Sequence, residues 1–250
     1  MKPESYTPGH TQNATGFMAT RTVESHAQFF TPFIDVSNRI LDAGCGPGSI
    51  SIGLARLASE GQVCGVDFGA SQITMALENA RNAGVTNVSF EVASCYELPF
   101  DDDSFDAVFS HALMEHLAQP GDALREFCRV LKPGGVIGVC SPDFDGWLLS
   151  PSSIELTDAV SAYVGLQDAN GGNLRIGKHL AGLLQDGGFT DLSTNARYEC
   201  YESLEFIGRY LAIQLEAAGM SDHSTTLLKW SKSSPGMFAQ SWVSAVGRKA

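Results

Sequence analysis

Residues 42–48 read Asp42-Ala43-Gly44-Cys45-Gly46-Pro47-Gly48, three glycines at alternate positions behind one acid. Glycine at this density lets a chain turn tightly and lets a ligand touch main-chain N–H groups where a helix begins. The spacing separates two chemistries. A dinucleotide fingerprint GxGxxG requires glycine at 49, where Ser49 stands, so the pattern is GxGxG and a nicotinamide-dependent reductase is disfavoured. Asp67 follows Gly44 by 23 residues. At the end of a strand its carboxylate can accept both hydroxyls of a ribose, and it disfavours a 2′-phosphate. The structural alternative for Asp67 is an acid paired with a helix dipole.

Short β-branched runs alternate with amphipathic stretches over 39–141, which predicts βαβ units around a parallel sheet. Strands are expected at 39–42, 62–67, 88–92, 105–110 and 136–140, and helices at 50–58, 71–82 and 121–131. Gly84 stops the second helix, and 132–135, Lys-Pro-Gly-Gly, is read as a turn. The glycine turn then joins the first strand to the first helix, and Asp67 closes the second strand. Beyond Ser141 the pattern changes: 142–153 is loop-like and 154–166 reads as an inserted apolar helix, a lid. A helix at 176–186, a strand at 189–194, helices at 203–219 and 222–232 and a strand at 237–246 complete the chain. The first 38 residues carry a helix at about 19–34, with Val23, Ala27 and Phe30 as an apolar stripe packed on the sheet edge. The expected organisation is one domain: 1–38 as an N-terminal helical cover, 39–141 as a cofactor-binding core, 142–175 as the lid insertion and 176–250 as C-terminal helices and strands.

Composition narrows the partners. The 250 residues hold 16 Lys and Arg against 28 Asp and Glu, a formal charge of −12, and no basic cluster exceeds Arg248-Lys249. Binding to nucleic acid or an anionic membrane would lack its electrostatic term. No apolar run resembles a signal peptide or spanning helix, so a cytoplasmic protein without membrane insertion is expected. The six cysteines are never closer than 12 positions, which removes CxxC metal and redox pairs and predicts reduced, mostly buried thiols. Nothing in the sequence signals an oligomeric state.

Further motifs follow in order: Glu97-Leu98-Pro99-Phe100 with Asp101-Asp102-Asp103-Ser104-Phe105-Asp106, then His111-Ala112-Leu113-Met114-Glu115-His116-Leu117, then Arg129-Val130-Leu131-Lys132-Pro133-Gly134-Gly135. With the glycine turn they make 36–141 resemble the class I S-adenosylmethionine-dependent methyltransferases, and more narrowly the UbiE/COQ5-like group acting on small molecules. Tyr6-Thr7-Pro8-Gly9-His10, Arg21-Thr22 and Gly187-Gly188-Phe189-Thr190 extend a weaker similarity. The resemblance implies a Rossmann-like α/β fold, a seven-stranded, mostly parallel sheet with one reversed strand, and S-adenosylmethionine across the C-terminal strand ends. It implies that Gly44, Cys45 and Gly46 meet the methionine part of the cofactor, that Asp67 holds the ribose, and that Phe68 and Ser94-Cys95-Tyr96 flank the adenine. Gln72 and Ser110 are expected nearby. Ser94 stands where many relatives have Asp, a neutral acceptor in place of a charged one, and the Cys95 N–H is left to serve.

The implied activity is methyl transfer to a small acceptor, partly apolar or aromatic, with O- or C-methylation favoured over N-methylation. Such a displacement needs positioning more than a metal or a covalent intermediate. His111, just after the fourth strand, is the best-sited candidate base, with lining and packing as its other readings. His116 reads as packing or surface, and Glu115 as a partner for a loop N–H or the cofactor ammonium. His10, Tyr6 and Arg21 precede the core where a segment can fold over the cofactor, His10 as a second candidate catalytic group, Tyr6 as a cofactor contact and Arg21 as a bidentate partner for its carboxylate. Phe144, Trp147, Leu148, Leu149, Tyr163, Tyr198, Tyr201 and Phe206 are candidates for an apolar acceptor pocket. The Asp101–Asp103 run reads as a solvated turn. The competing readings are other chemistry on the same cofactor, such as a cyclisation, and a non-catalytic cofactor-binding sensor.

Overall fold

Side chains alternate between the faces of a strand, so a sheet buried on both sides needs apolar residues at consecutive positions. The central strands meet that requirement. In the computed structural model, which describes Met18, residues 20–201 and residues 203–250, β1 (Arg39–Ala43), β2 (Gln62–Asp67), β3 (Val88–Val92), β4 (Phe105–His111) and β5 (Leu131–Pro142) run parallel in the order β3-β2-β1-β4-β5. The helices are α1 (Ser49–Leu57), α2 (Ala70–Asn82), α3 (Pro120–Val130), α4 (Ile154–Ala169), α5 (Leu180–Asp186), α6 (Leu204–Ala217) and α7 (Ser221–Trp230). Ile40, Val63, Ala107 and Phe109 pack on one face against α1 and Val23, Ala27 and Phe30. Leu41, Cys64, Val108 and Ile137 pack on the other against α3 and α5.

β8 (Met237–Lys249) is the reversed strand. It pairs antiparallel with β5 along Trp242–Arg248, with β6 (Leu148–Ser150) along Met237–Ala239, and on its far edge with β7 (Phe189–Cys200). The sheet therefore has eight strands where seven are expected. The extra one, β6, lies in the stretch read as loop and is held by β8, a partner about ninety positions away.

Other expectations are corrected. The helix at 19–34 is replaced by a single π-turn, Val23–Ala27, and a 3-10 turn, Thr31–Phe33. Thr22 and Ser25 exchange reciprocal backbone–side-chain bonds at its start, and Pro32 has no N–H to continue a helix. The stripe stays buried but lies on the sheet face rather than its edge: a Cβ on Gly138 of β5 would come within 2.4 Å of the Phe30 ring. The 132–135 turn is a bulge inside β5, because the register jumps from Phe105↔Leu131 to Ala107↔Val136. All six cysteines are free, but only Cys45, Cys64 and Cys140 are buried and Cys200 is exposed. Two of the acids in the solvated run are paired, Asp102 with Arg129 at 2.9 Å and Asp103 with Lys249 at 2.7 Å.

The apolar insertion is not alone. Leu156, Tyr163 and Val164 of α4, Ile207, Leu211 and Leu215 of α6, Leu227 and Trp230 of α7 and Phe238 of β8 form a third core. The roof over the strand ends thus draws on two separate stretches of chain. Ser153 and Ser203 cap α4 and α6, accepting from the N–H groups of Leu156 and Phe206. Among the described residues, no helix is long and apolar enough to cross a membrane.

Candidate active site

The glycine turn is tied to β2 by its own backbone. The N–H groups of Gly44 and Cys45 both donate to the Val66 carbonyl, at 2.8 and 3.0 Å. Gly44, Gly46 and Gly48 have φ of 76°, 53° and 79°, the left-handed region where a side chain is strained. Their surroundings differ. A Cβ on Gly48 would lie 2.8 Å from the Phe90 ring and 2.9 Å from Ala76, whereas one on Gly46 would meet only Met18 Sδ at 3.6 Å and Gln72 Oε1 at 3.9 Å. Gly48 is a packing glycine, and Gly46 leaves an open cradle. Asp67 joins this turn to the next loop: its Oδ2 accepts from Gly46 N–H at 3.0 Å and its Oδ1 from Gly69 N–H at 2.8 Å. Each carboxylate oxygen has a second lone pair for a further donor.

These groups border a cavity of about 1170 Å³ at the C-terminal ends of the parallel strands. The strand order reverses between β1 and β4, the place where open α/β sheets bind ligands. Gly44, Cys45, Gly46, Asp67, Phe68, Ser94, Cys95 and Tyr96, from the ends of β1, β2 and β3, form one wall with Gln72 of α2. Phe144, Trp147, Tyr163, Tyr210, Phe238 and Trp242, from beyond β5, the roof and β8, form another. Sites for one drug-sized ligand run to roughly 300–1,000 Å³, so this cavity lies just beyond the upper end of that range.

Buried titratable groups stand in the same walls. Asp42, 2% exposed, accepts from Ser51 Oγ, and burial pushes its carboxyl up to about 7, helped by the charge of Asp67. Glu115, 3% exposed, is likewise pushed up to about 7 by burial, against the stabilising Ser141 Oγ bond at 2.8 Å. His116 Nε2 lies 3.8 Å from Glu115 Oε1, and burial brings its imidazole down to about 3. Burial drives His111 well below the ordinary histidine range, with the charges of Arg21, His26 and Arg197 adding to the effect. Neither ring nitrogen of His111 has a hydrogen-bond partner. Its ring centroid is 4.9 Å from that of His26 and 4.6 Å from that of Trp242, over which the Arg21 guanidinium stands at 5.2 Å.

Of the residues singled out in the sequence, Arg21, Gly44, Cys45, Gly46, Asp67, Phe68, Gln72, Ser94, Cys95, Tyr96 and His111 come together on the cavity wall. Ser110 does not: it is 1% exposed, and its hydroxyl donates to the Ala43 carbonyl at 2.9 Å, stitching β4 to β1. Strand alternation turns it away from the ligand side. Tyr6 and His10 lie outside the described residues. Phe144, Trp147 and Tyr163 line the cavity, while Leu148, Tyr198 and Phe206 are exposed and Leu149 and Tyr201 stand off the wall. His111 as a base titrating near neutrality is corrected by its burial. Sequence reasoning missed Tyr210 and Trp242, whose place depends on long-range pairing. Asp42 was visible as the acid heading the glycine turn, but its burial was not. Ala112 adds strain beside His111, with φ of 55° in a non-glycine residue.

The methyltransferase-domain family model matches residues 34–188. An uncharacterized methyltransferase of Schizosaccharomyces pombe is 38% identical over 133 residues, 51% of this chain and 47% of the relative. The ubiquinone/menaquinone biosynthesis C-methyltransferase of Proteus mirabilis is 35% identical over 130 residues, 51% of each chain. This chain spans about half the length of such curated relatives. A Bacillus halodurans protein solved as a candidate methyltransferase superposes with a TM-score of 0.68 at 17% identity, over 89% of this chain and 97% of that one. The chain belongs to the methyltransferase-domain family and has its Rossmann-like class I fold. The cofactor of that class is S-adenosylmethionine, and the residues present fit it: the Cβ position of Gly46 has no atom closer than 3.6 Å, Asp67 stands at the wall, and two buried carboxyls held near 7 suit a ligand bearing ammonium and sulfonium charges.

Proposed function

We propose that the chain transfers a methyl group from S-adenosylmethionine to a small, partly apolar or aromatic acceptor, at oxygen or carbon in preference to nitrogen. The observation that carries this reading is one cavity with the glycine turn and Asp67 in one wall and six aromatic side chains in another. Gly44 and Gly46 would present bare backbone to the amino-acid part of the cofactor, and Asp67 would accept from the ribose hydroxyls. Phe68, Ser94, Cys95 and Tyr96 would flank the adenine. When bound, the sulfonium supplies a methyl carbon already activated for in-line displacement, so holding the acceptor in line can provide much of the rate.

The remaining work falls to this chain's side chains. Asp42 and Glu115 would be drawn into their ionised forms by a cation beside them. The aromatic wall would orient a flat acceptor and exclude water. His111, kept neutral by burial, can donate or accept one hydrogen bond there, and its weakened basicity disfavours complete proton removal. Arg21 is the one Lys or Arg among the described residues of the wall, a poor neighbour for an amine acceptor and a good one for a hydroxyl or enol.

Calorimetric titration tests the cofactor half of this reading. S-adenosylmethionine and S-adenosylhomocysteine should bind saturably and NADH should not. Binding of NADH alone would sink it.

A further inference from the structure

Strand alternation puts residues 238, 240 and 242 of β8 on one face, and Phe238, Gln240 and Trp242 all line the cavity. Same-face neighbours on a strand stand about 7 Å apart, so Gln240 is an amide set between two aromatic side chains. The pairing of β8 with β5 fixes the height of this ladder. Trp242 is level with Pro142 at the C-terminal end of β5, and Gln240 and Phe238 continue past it into the roof. β4 and β5 separate β8 from β1 and its glycine turn. Gln240 is 7% exposed, and one end of its carboxamide is fixed from behind. Tyr201, which stands off the cavity wall, donates its hydroxyl to Gln240 Oε1 at 3.1 Å. Tyr201 is itself held just beyond β7, with its N–H on the Phe238 carbonyl at 3.1 Å and its ring 5.3 Å from that of Phe238. Glu199, directly across from Gln240 on β7, has its Oε2 3.5 Å from His26 Nε2 instead. The Nε2 hydrogens of Gln240 have no partner among the described residues. An N–H in an apolar wall carries a desolvation cost unless an acceptor meets it. With Oε1 turned to Tyr201, the end of the amide left for a ligand is the donor.

We infer that Gln240 selects the methyl acceptor, donating an Nε2 hydrogen bond to a carbonyl or hydroxyl oxygen on a flat ring system that lies between Trp242 and Phe238, with Tyr201 positioning the amide. The inference deepens the proposed function and rests on reading this cavity as the acceptor site. The bond asks for an oxygen and not for a charge, so the acceptor can be bound neutral. Discrimination comes from the unmet donor as much as from the bond made: a hydrocarbon ring of the same shape would cover the amide and leave it unsatisfied.

The test uses probes that differ in one polar group and needs no turnover. With S-adenosylhomocysteine bound, the protein is titrated with 1-tetralone, whose carbonyl only accepts, and with tetralin, the same rings without the oxygen. Indole and indene form a second pair, in which the added group is an N–H donor. Affinities are read by ligand-observed NMR. The quantity compared between proteins is the ratio of tetralin to tetralone dissociation constants, in which the probes' different affinities for water cancel. Gln240→Met, similar in length without the amide, should lower that ratio about tenfold. Gln240→Glu, which keeps an acceptor for Tyr201 and presents oxygen in place of N–H, should lower it at least as much. Tyr201→Phe should lower it in part and leave the tetralin affinity alone, which a packing role would not do. The indene to indole ratio should be the same in Gln240→Met as in the parent. A tetralin to tetralone ratio unchanged in both folded Gln240 variants would overturn the inference. So would a loss confined to the indole pair, which would turn the amide oxygen to the cavity. A large loss of S-adenosylhomocysteine affinity in Gln240→Met with the ratio intact would overturn it too, by assigning Gln240 to the cofactor. If the parent binds S-adenosylhomocysteine but neither tetralone nor tetralin, this inference alone fails. If it does not bind S-adenosylhomocysteine, the reading of the cavity fails with it.

Discussion

Asp67 holds two backbone N–H groups, from Gly46 and Gly69, so its carboxylate shapes the loops on either side as well as facing the ligand space. On the proposed reading, removing it would take away two charge-assisted ribose bonds worth roughly 1.5–3 kcal/mol each, besides loosening the turn. Asp67→Ala should weaken S-adenosylmethionine binding at least ~10-fold by calorimetry, with the fold retained in circular dichroism. Asp42 makes a prediction of opposite kind. Its pKa is raised in the folded protein to about 7, from an unfolded value near 3.8. The folded state therefore holds an extra proton between those values, and the ligand-free protein loses stability as pH rises through that window. Asp42→Asn cannot ionise and keeps an acceptor for Ser51. Relative to the parent it should gain about 2–3 kcal/mol between pH 5 and pH 8 in chemical denaturation, in the absence of cofactor. A parallel pH dependence for parent and variant would contradict a buried Asp42 carboxyl held near 7. The acid was legible in the sequence as the head of the glycine turn. Its burial was not, and the same blindness made His111 look like a base titrating near neutrality.

At the scale of elements, the glycine turn separates two functions that its sequence pattern merges. Gly48→Ala forces a methyl into Phe90 and Ala76 on top of the left-handed backbone, and should lower the melting temperature by several degrees whether or not ligand is present. Gly46→Ala carries a backbone cost of roughly 1–2 kcal/mol but places its methyl in the open cradle, so its larger effect should be loss of the stabilisation that S-adenosylmethionine confers. Scanning calorimetry with and without the cofactor distinguishes the two. Strands β1 to β4 and helices α1 to α3 were legible because their patterns are local: β-branched runs, helical spacing, and Gly84 in the left-handed C-terminal position. What stayed hidden depends on distant partners. β6 exists because β8 pairs with it, β5 extends through the bulge at 132–135, and α6 and α7 join α4 only through a shared core. That core is testable by itself. Leu215→Ala, at a fully buried position, should cost about 2–5 kcal/mol and speed amide exchange in α4, α6 and α7, leaving β1, β2 and β4 protected.

For the whole molecule, the parallel sheet and the helical roof each have their own core, and the large cavity lies where they face each other. One wall comes from strand ends whose backbone geometry is dictated by glycine, the other from aromatic residues carried by the roof and β8. That division explains why the glycine-turn wall could be read from motifs while only Phe144, Trp147 and Tyr163 of the aromatic wall were: the first draws on runs of neighbouring residues, the second is assembled by folding. It also locates the central claim, that both molecules meet in this one space. The most direct measurement is mass spectrometry of small-molecule extracts incubated with the protein and methyl-labelled S-adenosylmethionine. The account predicts S-adenosylhomocysteine formed in step with a product heavier by the labelled methyl in place of one hydrogen, and both formed more slowly by the Asp67→Ala protein at a cofactor concentration below saturation. Saturable cofactor binding with no S-adenosylhomocysteine and no labelled product across phenolic and enolic acceptors would contradict it.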